Sequence, residues 1–207
     1  MGFSIGSNYL KTQNVNVEND FQYSFKNLKS TLYCALYAIK KPLEFFSWGK
    51  SSVDVKTSEV KDRYLSLKIL ADQGCADAQF NLAVMYDEGR GVAQSYTEAF
   101  RNYKLAADQG NTEAKFNLAS MYENGQGVTQ SYTEAFRNYK LAADQGNVGA
   151  QFNLAIMYDE GRGVAQSDTE AFRNYKLAAD QGNVGAQLKL GLMHETGRGV
   201  EKSNEEA

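Results

Sequence analysis

The chain of 207 residues has a net charge of −3, and a single proline, Pro42, among abundant Ala, Leu, Tyr and Phe favours helix over sheet. Residues 1–50 hold six lysines against three acids, and the remainder is mildly and evenly acidic, with basic side chains interspersed among acids. A polyanion-binding surface needs clustered Lys and Arg, so composition excludes nucleic acid as the expected partner.

Residues 1–24 lack sustained periodicity and read as a flexible leader. They also lack the early basic and apolar blocks of a secretory signal, which points to a cytoplasmic protein and leaves delivery into a host cell open. Met1-Gly2 begins like an N-myristoylation site, but Gly6 stands where Ser or Thr is required. Cys34 and Cys75 share no repeat position and form no CxxC knuckle. They read as small buried residues, a usage that fits a reducing compartment.

Over residues 25–50, Phe25, Leu28, Leu32, Leu36, Ile39, Leu43 and Phe46 follow helical spacing, with Pro42 set to break or kink the helix. The apolar run from Leu32 to Ile39 is shorter than the ~20 residues that span a bilayer. Two readings stay open. The segment caps the first repeat, or Phe45, Phe46 and Trp48 beside Lys40, Lys41 and Lys50 lie in an anionic membrane interface, with Ser51 and Ser52 in a linker.

Beyond this, residues 78–111 and 150–183 are nearly the same string, differing only at Val84/Ile156 and Tyr96/Asp168, and residues 114–147 repeat it with more changes. The period is 36 residues, which predicts a repeat array over 58–207. Its parts are a half unit at 58–74, units at 75–110, 111–146 and 147–182, and an incomplete unit at 183–207. The half unit is assigned because Tyr64, Leu67, Leu70, Ala71 and Gly74 precede Phe100, Tyr103, Ala106, Ala107 and Gly110 by one period.

Each unit predicts two helices. The first places Ala78, Leu82, Ala83, Met85 and Tyr86 on one face, with Phe80 toward an adjacent unit. Gly89 and Gly91, with Gly125, Gly127, Gly161 and Gly163 after them, supply the positive φ of a helix cap and tight turn, and Val92 plugs the turn. Ser95 or Thr97 caps the second helix, which buries Ala99, Phe100, Tyr103, Ala106 and Ala107. Alternating small and aromatic residues, repeated at Tyr139, Ala143 and Tyr175, let helix backbones approach closely while rings fill the gaps.

These residues resemble the Sel-1-like repeat, a subfamily of the tetratricopeptide-type α-solenoids. The pattern falls on Ala114, Leu118, Ala119, Tyr122, Gly125, Gly127, Val128, Ala135, Tyr139, Ala142, Ala143 and Gly146, and the resemblance covers residues 58–207. It implies an all-α, right-handed α-solenoid of stacked antiparallel helix pairs that serves as a protein–protein scaffold or adaptor. Where the family often has Lys-Ala and Trp-Tyr-x-Lys, this chain has Glu98-Ala99 and Asn102-Tyr103-Lys104-Leu105. Leu105, Leu141 and Leu177 therefore recur as an apolar position. Cysteine-rich relatives with a proposed hydrolase-type role carry a disulfide pair in each unit, which this chain lacks.

Little in the array suggests chemistry. Gly89-Arg90-Gly91 follows a helix and has no Lys-Ser/Thr pair, so it reads as a turn and not a phosphate loop. His194 occupies the slot of Tyr86, Tyr122 and Tyr158 and reads as a substitute ring, with no second ligand for a metal. No enzymatic activity and no cofactor are expected. Asn81, Asn117 and Asn153 recur on the first helices, where an amide ladder could clamp an extended peptide, although near-identical duplication repeats every residue regardless of use. The helix from Val184 to Glu195 is expected to expose an apolar edge that invites self-association.

Overall fold

The structure is a computed structural model that describes residues 52–199, with side chains from residue 62 onward. The leader, the helix at 25–50 with its capping or membrane-contact role, and Cys34 lie outside the described residues. Eight helices follow one another: α1 Ser52–Asp72, α2 Ala76–Glu88, α3 Tyr96–Asp108, α4 Thr112–Asn124, α5 Tyr132–Ala143, α6 Val148–Glu160, α7 Asp168–Asp180 and α8 Val184–Thr196. There is no strand among the described residues. Helix α1 already begins at Ser52, so the serines read as part of a linker adjoin or open a helix. None of the described helices is long and apolar enough to cross a membrane.

Local chemistry fixes the boundaries. The hydroxyls of Ser95, Ser131 and Ser167 accept the backbone N–H of Glu98, Glu134 and Glu170 at 3.3–3.4 Å, which satisfies a donor that the helix start leaves unpaired. Asn111, Asn147 and Asn183 cap the following first helices in the same way at 2.7–2.9 Å. Cys75 takes the Asn slot before α2 and provides no side-chain cap. It is buried and disulfide-bonded, which corrects the reading of the cysteines as unlinked and removes their argument for a reducing compartment.

The first helices end on a left-handed glycine, Gly89, Gly125 and Gly161 at φ 68°, 70° and 68°. The second turn glycines, Gly91, Gly127 and Gly163, share the positive φ. At two of them space as well as φ demands glycine: a Cβ on Gly127 would overlap the carbonyl of Tyr96, and one on Gly163 would overlap that of Tyr132. Each turn thus rests on the start of the preceding unit's second helix.

Each helix packs against the next in sequence, most extensively within the pairs α2/α3, α4/α5 and α6/α7. Ala83, Ala99, Ala106, Ala114, Ala119, Ala135 and Ala142 are 0% exposed, so the backbones meet over methyl groups as the small-residue pattern predicts. Tyr103, Tyr139 and Tyr175 are the largest fully buried side chains, and Ala107 and Ala143 are buried beside them. Inside a unit, Phe80, Phe116 and Phe152 tilt against those tyrosines at 5.8–5.9 Å. The same rings face outward too, because Phe116 and Phe152 pack over Gly149 and Gly185 of the next first helix.

Between units, Tyr64–Tyr86, Phe100–Tyr122, Phe136–Tyr158 and Phe172–His194 meet edge to face at 5.2–6.1 Å. His194 therefore substitutes for a tyrosine ring. The Tyr64 contact repeats, one period earlier, the contact that Phe100 makes with Tyr122. The residues from α1 to α8 form an α-solenoid of stacked helix pairs.

Candidate binding surface

The buried tyrosines carry their hydroxyls to the first-helix face. There the Tyr103 hydroxyl donates to Asp87 at 3.3 Å and the Tyr139 hydroxyl donates to Glu123 at 2.9 Å. Asn117 lies beside the Tyr103 hydroxyl and Asn153 beside that of Tyr139, whereas Asn81 donates to the carbonyl of Asp77 in its own helix at 2.7 Å. The three asparagines thus recur in sequence without sharing one role. Two of them complete an acid–tyrosine–asparagine group at the seam between successive first helices.

Burial raises the pKa of Tyr103, Tyr139 and Tyr175, and the adjacent carboxylates Asp87, Glu123 and Asp159 add to the shift. Burial likewise raises that of Asp87, partly offset by the Tyr103 hydrogen bond. At Tyr175 the group is incomplete. Asp159 lies near, but the hydroxyl is buried with no hydrogen bond of proper geometry.

An arginine from the following turn crosses two of these seams. Arg162 pairs with Glu123 at 2.8 Å, and its guanidinium stands 5.7 Å from the ring centre of Tyr132. Arg198 pairs with Asp159 at 2.8 Å and also with Asp168. At the first seam the equivalent position is Gln126. No sequence motif announces this bridge, because its partners stand 39 residues apart and only the stacking joins them.

Charge is not spread evenly over the array, which corrects the impression from composition. Helix α2 carries Asp77, Asp87 and Glu88, and α6 carries Asp159 and Glu160, neither with a basic residue; α4 balances Glu113 and Glu123 with Lys115 alone. The second helices mix signs, as Glu98 and Asp108 with Arg101 and Lys104 in α3. The acidic excess therefore sits on the first helices. No group of three or more His, Cys, Asp or Glu among the described residues is placed to hold a metal ion.

The opposite, second-helix face shows a different repeat. Ile69, Leu105, Leu141 and Leu177 are 59%, 42%, 44% and 44% exposed, one per unit. Leu105 borders a groove of about 290 Å³ between α1 and α3, floored by Gln79, Leu82 and Tyr86 and edged by Asp72, Glu98 and Arg101. At the end of the array, Val184, Leu188 and Leu192 on α8 stand 76%, 76% and 54% exposed, although their counterparts Val148, Phe152 and Ile156 pack on the core.

Comparison with known proteins agrees with this geometry. The Sel1 repeat family model matches residues 76–111, 112–147, 148–183 and 184–207. No curated protein matches the chain. Among solved structures, a protective antigen present in uropathogenic Escherichia coli strains and displaying an SLR fold is 38% identical with a TM-score of 0.64, over 67% of this chain and 30% of that one. A Sel1 repeat protein from Oxalobacter formigenes is 31% identical with a TM-score of 0.63, over 67% of this chain and 55% of that one. Cysteine rich protein B of Helicobacter pylori, at 18% identity and a TM-score of 0.52 over 69% of this chain and all of that one, shares the fold. The chain thus spans about a third and about half of the length of the first two. With four repeat matches running from residue 76 to the end, and a structure that stacks them as paired helices, the chain belongs to the Sel1 repeat family.

Proposed function

We propose that the chain is a non-catalytic scaffold or adaptor whose first-helix face, along Asn81, Asn117 and Asn153, binds an extended segment of a protein partner. Sel1 repeat proteins in general mediate protein–protein interaction. The observation that supports the first-helix face is the recurring group of carboxylate, tyrosine hydroxyl and asparagine amide at successive seams, which offers acceptors and donors for peptide backbone at repeated positions.

A peptide-display library selected on the full chain tests this reading. Selected peptides should bind the triple variant Asn81→Ala, Asn117→Ala, Asn153→Ala at least tenfold more weakly, with its helicity and melting unchanged within a few degrees. They should bind Leu105→Ser, Leu141→Ser, Leu177→Ser normally. The reverse pattern would move recognition to the second-helix face.

Two further parts of the proposal stand apart from the groove. The exposed stripe Val184, Leu188 and Leu192 mediates self-association, so Leu188→Lys should lower the sedimentation-average mass of a concentrated solution. A contact of residues 25–50 with anionic membrane and a cytoplasmic location rest on sequence alone. Co-sedimentation of the full chain with phosphatidylserine vesicles, and cell fractionation, test them.

A further inference from the structure

Three seams of the array have nearly the same sequence, so each serves as a control for the others. In the second, the guanidinium of Arg162 sits between the Glu123 carboxylate and the Tyr132 ring. The third presents the same acid position, Asp159, to Arg198 at 2.8 Å. Aspartate and glutamate therefore both reach the guanidinium.

The first seam keeps the acid, the ring and the turn but lacks the cation, and Asn124 stands where Glu160 pairs with Arg162 at 2.6 Å in the second. Asp87 replaces Glu123, Tyr96 replaces Tyr132, and the Tyr96 hydroxyl accepts from Gln94 at 3.1 Å as the Tyr132 hydroxyl accepts from Gln130 at 3.2 Å. Gly127 rests on the Tyr96 carbonyl as Gly163 rests on that of Tyr132, and Gln126 N–H bonds Met121 as Arg162 N–H bonds Met157, each at 3.0 Å. Position 126 thus occupies the place of Arg162, but its neutral side chain forms no ion pair. Arg90 is engaged by Glu88, and no cation among the described residues pairs with Asp87.

We infer that Asp87 and Tyr96 form a receptor for an arginine side chain of the protein partner, which enters where the other seams use the array's own arginine. A guanidinium suits the site in three ways. It pairs with a carboxylate, it is attracted to a tyrosine ring, and it is drawn to a helix, α2, that carries three acids and no base. The inference refines the first-helix face reading and rests on it for the partner, but not for the chemistry of the slot.

Nitrogen-15 NMR titration of the full chain with Nα-acetyl-arginine amide tests it, with the citrulline analogue as the neutral control. Saturable shifts at Asp87, Tyr96 and Asn117 are expected with arginine and not with citrulline. Gln126→Arg, which supplies the cation internally, should raise the melting temperature and weaken the probe at least tenfold; Asp87→Asn should weaken it similarly. Shifts equal for citrulline, absent from the Asp87 seam, or unchanged in Gln126→Arg would overturn the slot. A bound arginine probe combined with failed peptide selection would count against the groove alone. Successful selection without the probe signature would count against the slot alone.

Discussion

The guanidinium of Arg162 reaches back across a unit boundary to the carboxylate of Glu123 at 2.8 Å, while the same carboxylate accepts the Tyr139 hydroxyl at 2.9 Å. One half-buried acid thereby ties a turn, a first helix and a second helix together. Glu123→Gln should therefore cost about 1–2 kcal/mol in denaturant unfolding, since charge-assisted bonds from two partners weaken at once.

Asp87 predicts the opposite. Burial holds its folded pKa above the ordinary carboxylate value. A raised acid favours the folded state only while protonated, so its contribution is present below the unfolded pKa and is lost as pH rises through the folded one. At neutral pH the ionised group is a cost, and Asp87→Asn, which still accepts from Tyr103, should leave stability equal or higher. Urea melts of both variants at neutral pH check the contrast, and an equal loss would refute it.

Tyr139 and Tyr175 occupy the same repeat position but differ in hydrogen bonding: Tyr139 donates to Glu123, whereas the Tyr175 hydroxyl, although near Asp159, stays unsatisfied. Tyr139→Phe should lose about 1–2 kcal/mol, whereas Tyr175→Phe should be neutral or stabilising, a buried unpaired hydroxyl being costly. Matched thermal and urea melts would show it.

The raised pKa values of the three buried tyrosines predict alkaline unfolding. Below the unfolded value, near 10, both states are neutral and the stabilising contribution is complete. Above it the unfolded chain ionises first, so stability falls as pH climbs toward the folded pKa. Each tyrosine adds at most about 1.4 kcal/mol per pH unit, less where solvent screens it. Phenolate absorbance should show these rings titrating together with loss of helicity; titration in a fully folded chain would be the contrary result.

Lys115 offers a repeat-guided repair. At its position Gln79 donates to Ala71 and accepts from Gln109, and Gln151 donates to Ala143 and accepts from Gln181. Lys115 is buried there without an ion pair among the described residues. Lys115→Gln should add about 1 kcal/mol by restoring the amide ladder and exposing no cation to desolvation. A lower melting temperature would show that the lysine is better accommodated than its neutral counterpart.

The 36-residue period, the glycine turns, the Ser95-type caps and the Ala/Tyr packing were all legible in the sequence, because each depends on contacts within a helix or between helices adjacent in the chain. Gln126 was equally visible as one changed letter in an Arg position, yet its meaning was not. Stacking alone brings residue 162 to residue 123, sets the acidic first helices side by side and leaves Leu105, Leu141 and Leu177 outside. Those relations follow from the rotation between successive helix pairs, a tertiary quantity that no local spacing encodes. Sequence by itself determined the repeated helix pair. Only the packed array decided which charges meet across the unit boundaries and that Asp87 has no cation paired with it among the described residues.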